Sequence, residues 1–186
     1  MTQPVLVSAP CTVRDAAAGD IPAITAIYAH YVRTSLATFE EVPPTVAEMI
    51  QRHDGVTSAG LPYLVATDSA NRVVGYAYAA PFRTRSAYRF TLEDSIYVDQ
   101  VTARRGVGLT LLTALIERCT ALGYHQMVAV IGDTDNAPSI GLHQKAGFTR
   151  AGLMPAVGFK LGRWVDSVLM QRALSTGTTA SGQSAD

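Results

Sequence analysis

The stretch LEDSIYVDQVTARRGVGLTLLTALIERCTALGYHQMVAVI, residues 92–131, decides the fold. It opens with a strand of mixed polarity, Leu92–Val98. A helical pattern follows over Gly106–Leu122, with Val107, Leu111, Leu112, Leu115, Cys119 and Leu122 on one face and Gly123 after it as a C-cap. Met127–Ile131 is then a continuous apolar run, as expected of a strand buried on both faces. Strand, helix and buried strand joined by so long a connection form a βαβ unit, so the two strands are parallel.

Outward from this unit the pattern changes. Upstream, Val13–Ala16 reads as a short strand. Asp20 and Pro22 open a helix carrying Ile24, Ile27, Tyr28 and Tyr31 at helical spacing. Thr45 and Glu48 form a capping-box pattern for a second helix through about Arg52. Leu61–Thr67 and Val73–Ala80 are strands joined by a turn too short for a crossover, hence antiparallel. Downstream, a helix over about Ala137–Ala146 ends at Gly147, and strands near Phe148–Leu153 and Trp164–Gln171 close the chain. The sum is an α/β chain: a mixed central sheet with one parallel βαβ unit and flanking helices.

The 186 residues suit one domain, placed at residues 12–174, with a tail at 1–11 that carries two prolines and no period and a tail at 175–186 whose composition cannot repay ordering entropy. A 48% hydrophobic content with 16% charge excludes a disordered or fibrous chain. Fifteen Lys and Arg balance fifteen Asp and Glu, which argues against a general electrostatic grip on nucleic acid or an anionic membrane. No stretch approaches the roughly 20 apolar residues of a membrane span. Cys11 and Cys119 have neither metal-ligand spacing nor a disulfide framework and read as free thiols of a cytoplasmic protein. No metal is expected.

Three groups of residues can carry chemistry. Between strand and helix, Arg104, Arg105, Gly106, Val107, Gly108 and Leu109 combine backbone access, a helix N-terminus and two forked cations, the makings of a pyrophosphate cradle. It lacks the Lys-Ser/Thr of a Walker loop and the third glycine of a dinucleotide fingerprint. On the later helix, Asn136 is a candidate cap, with Ser139 and His143 four apart on one face. On the central strand, Glu93, Ser95 and Tyr97 share one side, and Leu92, Asp94, Ile96 and Val98 the other. A carboxylate in mid-sheet is costly unless paired or solvated, so Glu93 is either ion-paired to an arginine or a general base for a substrate ammonium. Arg83, Arg85 and Tyr88 just before it are either a solvated loop or an anion-binding block.

The order of these blocks resembles the GNAT acyltransferase superfamily, and within it the phosphinothricin and methionine sulfoximine N-acetyltransferases. The resemblance rests on Thr38-Phe39-Glu40, residues 81–93, Ser95-Ile96-Tyr97-Val98, the Arg-Arg-Gly-Val-Gly loop, Val128–Gly132 and the Asn-x-x-Ser-x-x-Leu-His-x-x-x-Gly-Phe run. It implies acetyl-CoA as co-substrate, its pyrophosphate on Arg104–Leu109, although the family's leading Arg or Gln falls on Ala103. It implies a pantetheine arm along the main chain of Ile96, Tyr97 and Val98, with Asn136 and Ser139 holding the arm from the other side. Glu93 corresponds to the catalytic glutamate and His143 to a second acid/base group; which of the two takes the first proton stays open. Arg83, Arg85 and Tyr88 bind the acceptor, with Phe39 and Val130 lining its pocket. The expected acceptor is a small amino-acid-like molecule, attacked through its α-amine, and the family is often dimeric. The rival readings are acetylation of another small amine or a protein N-terminus, and a non-catalytic acyl-CoA-binding module.

Overall fold

Strands with apolar residues on both sides need cover on both sides, and the chain supplies helices to each. A computed structural model describes residues 11–102 and 105–174. Within them the order is β1 (Thr12–Asp15), α1 (Ile21–Thr34), α2 (Val46–Ser58), β2 (Tyr63–Thr67), β3 (Val73–Pro81), β4 (Thr91–Val98), α3 (Val107–Ala121), β5 (Gln126–Gly132), α4 (Ala137–Lys145), β6 (Thr149–Lys160) and β7 (Arg163–Ala173). The strands form one seven-stranded sheet in the order β1-β2-β3-β4-β5-β7-β6. β4 and β5 are parallel, as the βαβ reading requires, and the other neighbours are antiparallel. Apart from Cys11, both expected tails lie outside the described residues.

Each face has its own core. Ile21, Ile24, Tyr28 and Val32 of α1 and Met49 of α2 pack on Tyr63, Val65 and Tyr76. On the other face Leu111, Leu112, Leu115 and Cys119 of α3 pack on Leu64, Ala77, Leu92 and Met127. Removing one such fully buried leucine to alanine costs about 2–5 kcal/mol.

Four local expectations are corrected. α2 runs to Ser58 rather than Arg52, because Val56 still packs on the core and a helical Gly55 costs only about 1 kcal/mol. The capping box itself forms: Glu48 N donates to Thr45 Oγ1 at 3.2 Å, and Thr45 N to Glu48 Oε2 at 2.7 Å. Asp20 does not cap α1 with its side chain; its carboxylate takes the Ala17 N–H at 2.8 Å and the Arg14 guanidinium at 2.6 and 2.9 Å. Leu122 is 52% exposed and ends α3 instead of joining the core. β6 continues past Leu153 to Lys160 across a register shift between Met154 and Gly158. There Ala156 takes φ +48° and its amide donates to Asp166 at 2.8 Å, a bulge that breaks the alternation a strand is read from.

Two features set up the cleft. The β4–β5 ladder runs only from Thr91–Gln126 to Asp94–Ala129. Beyond it β4 continues with β3 to Val98, while β5 continues with β7 to Gly132, so the sheet splits into a wedge. The segment after α1 crosses the β5–β7–β6 half. Lys160, 2% exposed, donates from Nζ to the carbonyls of Ser35 (2.8 Å) and Thr38 (2.7 Å) and straps that segment down. Its backbone comes so close that a side chain at Gly132 would overlap the Leu36 carbonyl.

Gly132→Ala is therefore expected to destabilise the fold by about 1–3 kcal/mol through overpacking against backbone. Gly55→Ala, in a helical position with nothing within 4 Å of the new methyl, should stabilise by about 0.4–1 kcal/mol. Thermal melts of the two variants check this; a Gly132→Ala protein melting at or above the parent temperature would contradict the close approach.

Candidate active site

The wedge between β4 and β5 opens into a cleft of about 1240 Å³. That exceeds the roughly 300–1,000 Å³ usual for one small ligand and leaves room for an extended molecule beside a second one. β4 forms one wall. Phe82 N donates to Thr91 O at 3.2 Å and Asp99 N to Val74 O at 2.9 Å, so the odd-numbered peptides of β4 face β3. The even-numbered ones face β5, and past Asp94 they face the gap. Ile96 and Val98 thus present their peptide groups to the opening, and the Tyr31 hydroxyl donates to the Val98 carbonyl at 2.6 Å. Tyr97 also borders the cleft, but its peptide is turned to β3. Its ring packs on Tyr28, Tyr31 and Tyr76 at centroid distances of 5.0, 5.3 and 5.4 Å.

The floor at one end is the start of α3. Gly106 takes φ +84°, which only glycine adopts without strain, and no side chain among the described residues caps the helix. The first-turn N–H groups of α3 are therefore open to an anion at the positive end of the helix dipole. Gly106, Val107, Gly108 and Leu109 all border the cleft. A Cβ at Gly108 would lie 3.2 Å from Leu142 and 3.6 Å from Val98, so this glycine lets α3, α4 and β4 meet. Arg105 is described and exposed; Arg104 lies outside the described residues. An extended arm along Ile96–Val98 with an anionic group at the α3 N-terminus fits this surface.

α4 forms the opposite wall. Asn136 is its cap: Oδ1 accepts from Ser139 N at 3.3 Å and Nδ2 donates to Gly132 O at 3.3 Å. Asn136 and Ser139 border the cleft, as does His143. His143 is nonetheless 2% exposed, with both ring nitrogens engaged. Nδ1 lies 2.8 Å from the Ser139 carbonyl and 3.4 Å from its hydroxyl, and Nε2 lies 3.0 Å from Asp94 Oδ2. A carbonyl only accepts, so Nδ1 carries a proton. Burial pulls the His143 pKa down, but the hydrogen bond and charge of Asp94 outweigh it and hold the imidazole above its ordinary value. Asp94 is the residue that sequence reading missed. The available signal was its place among Leu92, Ile96 and Val98 on a core-facing side, where a carboxylate needs a partner.

Glu93 stands on the other face of β4, half-buried and bordering the cleft. Among the described residues no cation pairs with it. Burial, and secondarily the Asp94 charge, push its carboxyl above the usual range. The salt-bridge alternative thus has no partner here. Phe39 and Val130, 39% and 38% exposed, border the same cleft. Phe39 lies against Gly132 and Gly158, neither of which has room for a side chain.

Arg83, Arg85 and Tyr88 are not brought into the lining of the cleft. They occupy the loop between β3 and β4, which springs from the Ala80–Glu93 end of that hairpin. The Arg83 guanidinium lies over the Phe82 and Tyr88 rings, 5.0 and 5.4 Å from their centroids. Arg85 is exposed, and among the described residues it pairs with no acid.

Known proteins share this arrangement. The chain is 55% identical over 169 residues to the phosphinothricin N-acetyltransferase of Alcaligenes faecalis, covering 91% of this chain and 85% of that protein. It is 44% identical over 160 residues to the L-methionine sulfoximine/L-methionine sulfone acetyltransferase of Pseudomonas aeruginosa, covering 86% and 92%. The crystal structure of a GNAT superfamily phosphinothricin acetyltransferase from Sinorhizobium meliloti in complex with acetyl-CoA superposes with a TM-score of 0.89 at 50% identity, covering 93% of each chain. The model of the acetyltransferase (GNAT) family matches residues 24–148. With a split mixed sheet, an uncapped glycine-led helix and these relatives, the chain belongs to the acetyltransferase (GNAT) family.

Proposed function

We propose that this protein transfers an acetyl group from acetyl-CoA to the α-amine of a small amino-acid-like acceptor of the phosphinothricin or methionine sulfoximine or sulfone type. The observation that carries the reading is Glu93, a half-buried carboxylate with no cation partner among the described residues, beside the point where the sheet opens. Ile96 and Val98 would take the pantetheine arm as an added strand, and Gly106–Leu109, with Arg104 and Arg105, the pyrophosphate. Acetyl-CoA supplies the acetyl group as a thioester. Glu93, directly or through water, takes a proton from the acceptor ammonium so that the neutral amine can form the new C–N bond. The Ile96 N–H faces the gap where it can support negative charge on the thioester oxygen. The C–S bond breaks, the departing sulfur takes a proton from the His143 side of the cleft through the Ser139 hydroxyl, and the acylated nitrogen gives its second proton to water, which restores the one His143 supplied. Arg85, without an acid partner among the described residues, is available to an acceptor carboxylate, beside Arg83 and Tyr88. Phe39 and Val130 wall the acceptor pocket.

We also read the protein as a cytoplasmic homodimer. Both cysteines are free thiols. Leu153, Val157, Phe159 and Trp164 leave an exposed apolar stripe on the β6–β7 hairpin, of the kind that marks an interface.

The deciding test is an acceptor panel with acetyl-CoA, read by thiol release. Phosphinothricin, methionine sulfoximine and methionine sulfone should be acetylated, and spermidine or simple alkylamines poorly. Better turnover of an alkylamine, or none with any amino acid, would overturn the assignment. Arg85→Ala should raise KM for the anionic acceptors about 10- to 100-fold, since a hydrogen bond to a charged group contributes about 1.5–3 kcal/mol. Arg85→Lys should recover only part. An unchanged preference for carboxylated acceptors would remove Arg85 from the site.

Glu93→Gln should lower kcat by about 10²–10⁴-fold with little change in acetyl-CoA affinity. It should also stabilise. Folding raises the Glu93 pKa, so between the ordinary and the raised value the folded state binds more protons than the unfolded chain. Stability therefore falls as pH rises through that window. Glu93→Gln should melt above the parent at pH 8, and the difference should close below the ordinary glutamate pKa of about 4.3. A parent melting above the variant at pH 8 would mean that Glu93 is paired after all.

A further inference from the structure

Resting on the acetyl-transfer reading above, we propose that Asp94 is a positioning residue for the reaction: it holds the His143 imidazole at the apex of the cleft and so fixes α4 against the central strand where the sheet divides. Asp94 is the last residue of β4 paired with β5, opposite Ala129. Its side chain points to the α3–α4 side, where His143 Nε2 meets Oδ2 at 3.0 Å, the His143 and Asp94 side chains being 3% and 1% exposed. This contact joins the two walls of the wedge at its closed end.

The surroundings make the contact a matter of charge as well as shape. The edge of the Phe148 ring closes on the imidazole at 5.1 Å. From α4 itself His143 meets the Ser139 carbonyl and hydroxyl. From α3, Cys119 lies within the field of Asp94; burial and that charge push its thiol up to about 12, so it stays neutral. From β4, Glu93 sits back to back with Asp94, and the Asp94 charge helps keep Glu93 protonated to higher pH. Asp94 Oδ1 is buried with no partner among the described residues. Among the described residues the imidazole is thus the one side-chain hydrogen-bond partner of a carboxylate sealed from water, and its Nδ1–H is already committed to the Ser139 carbonyl. A hydrogen bond between Nε2 and Oδ2 needs one further proton, which leaves the pair neutral overall, and the raised proton affinity of His143 beside Asp94 favours its place on the imidazole. A buried ion pair gives little net stability over apolar packing of the same volume. What this pair supplies is a ring of fixed orientation and charge, whose Nδ1 edge reaches the cleft through the Ser139 hydroxyl. Removing Asp94 changes both proposed acid/base groups at once: His143 loses its reason to stay charged, and Glu93 loses a neighbouring negative charge.

The test uses the full chain with acetyl-CoA and methionine sulfone. Asp94→Asn keeps the shape and can donate an amide N–H to Nε2, so the imidazole should become neutral without moving. We expect kcat to fall about 10- to 100-fold, KM for acetyl-CoA to stay within about threefold, and the acid limb of the kcat/KM profile to shift to lower pH as Glu93 loses its neighbour. His143→Gln should lose a similar factor, and the double variant should be no worse than the weaker single, the mark of residues acting as a unit. Nitrogen NMR of the histidine-labelled parent should find His143 as an imidazolium at pH 7.5, and of Asp94→Asn as a neutral ring. A neutral His143 in the parent overturns the proposal, even if Asp94→Asn fails to fold. So does parental kcat with an unmoved pH profile in Asp94→Asn, or additive losses in the double variant. If the parent acetylates no acceptor, the acetyl-transfer reading fails and takes the role of Asp94 with it, while the nitrogen spectrum still reports the pair. If the parent is active and Asp94→Asn equally so, only the role of Asp94 fails.

Discussion

The ladder between β4 and β5 stops after four residue pairs, and the rest of the molecule answers that interruption. Two parallel strands that part company leave peptide groups that must find other partners, since an unpaired buried N–H or C=O costs free energy comparable to a lost hydrogen bond. One answer is internal, the Tyr31 hydroxyl on the Val98 carbonyl. The other is a surface suited to an extended ligand, which can enter the sheet as a strand and complete it. The wedge also needs fixed walls. Lys160 strapped to the Ser35 and Thr38 carbonyls secures the segment over one half, and Asp94 with His143 closes the apex.

The half of the sheet carrying Glu93 is stiffened by aromatic packing. Tyr63, Tyr76 and Tyr78 stack in near-parallel planes, and Tyr97 meets Tyr76, Tyr28 and Tyr31. Such contacts contribute about 0.5–1.5 kcal/mol each beyond area burial. Their larger consequence is positional: Tyr97 is locked under β4, so Ser95 and Glu93, two and four residues earlier on the same face, cannot roll away from the cleft. Glu40 adds a polar brace at the rim, accepting from Tyr28 at 2.8 Å and from the Arg52 fork at 2.7 and 3.1 Å. The same pocket holds Glu93, a carboxylate that no described cation pairs and whose pKa burial raises, an arrangement that costs stability.

Much of this was readable in the chain because it depends on short-range patterns. The strand of mixed polarity, the long amphipathic helix and the apolar run at Met127–Ile131 dictated a parallel pair. Alternation alone put Glu93 and Asp94 on opposite faces, as found. Glycine chemistry identified Gly106 and Gly108. What could not be read depends on how distant segments meet. The depth of the β4–β5 ladder decides which peptides are open, and no local signal sets it. The Asp94–His143 contact spans 49 positions, and the Lys160 strap spans 122 and 125. The β6 bulge erased the period by which the strand would have been followed to Lys160. Arg83, Arg85 and Tyr88 were placed near Glu93 by sequence proximity, but their hairpin carries them outside the cleft lining, so acceptor contact would require the ligand to reach them.

Two adjacent carboxylates on one strand end in opposite circumstances, and the strand geometry is the reason. A period of two sends Glu93 to the tyrosine side and Asp94 to the side of α3 and α4. Glu93 borders the cleft without a counter-charge among the described residues, and its proton affinity is set mainly by desolvation. Asp94 is sealed against one imidazole, so its charge is answered locally. Environments this different are how a single fold can give two like groups on one strand separate tasks. The separation is cheap in sequence, requiring only that two acids be neighbours. It is demanding in structure, because the sheet must open within one residue of them for either to matter. A ladder one pair longer would engage the Ile96 peptide with β5 and close the gap, while one pair shorter would loosen the seat of Asp94. The four pairs from Thr91 to Asp94 are the length at which an open peptide edge, a desolvated carboxylate and a buried carboxylate–imidazole contact fall side by side.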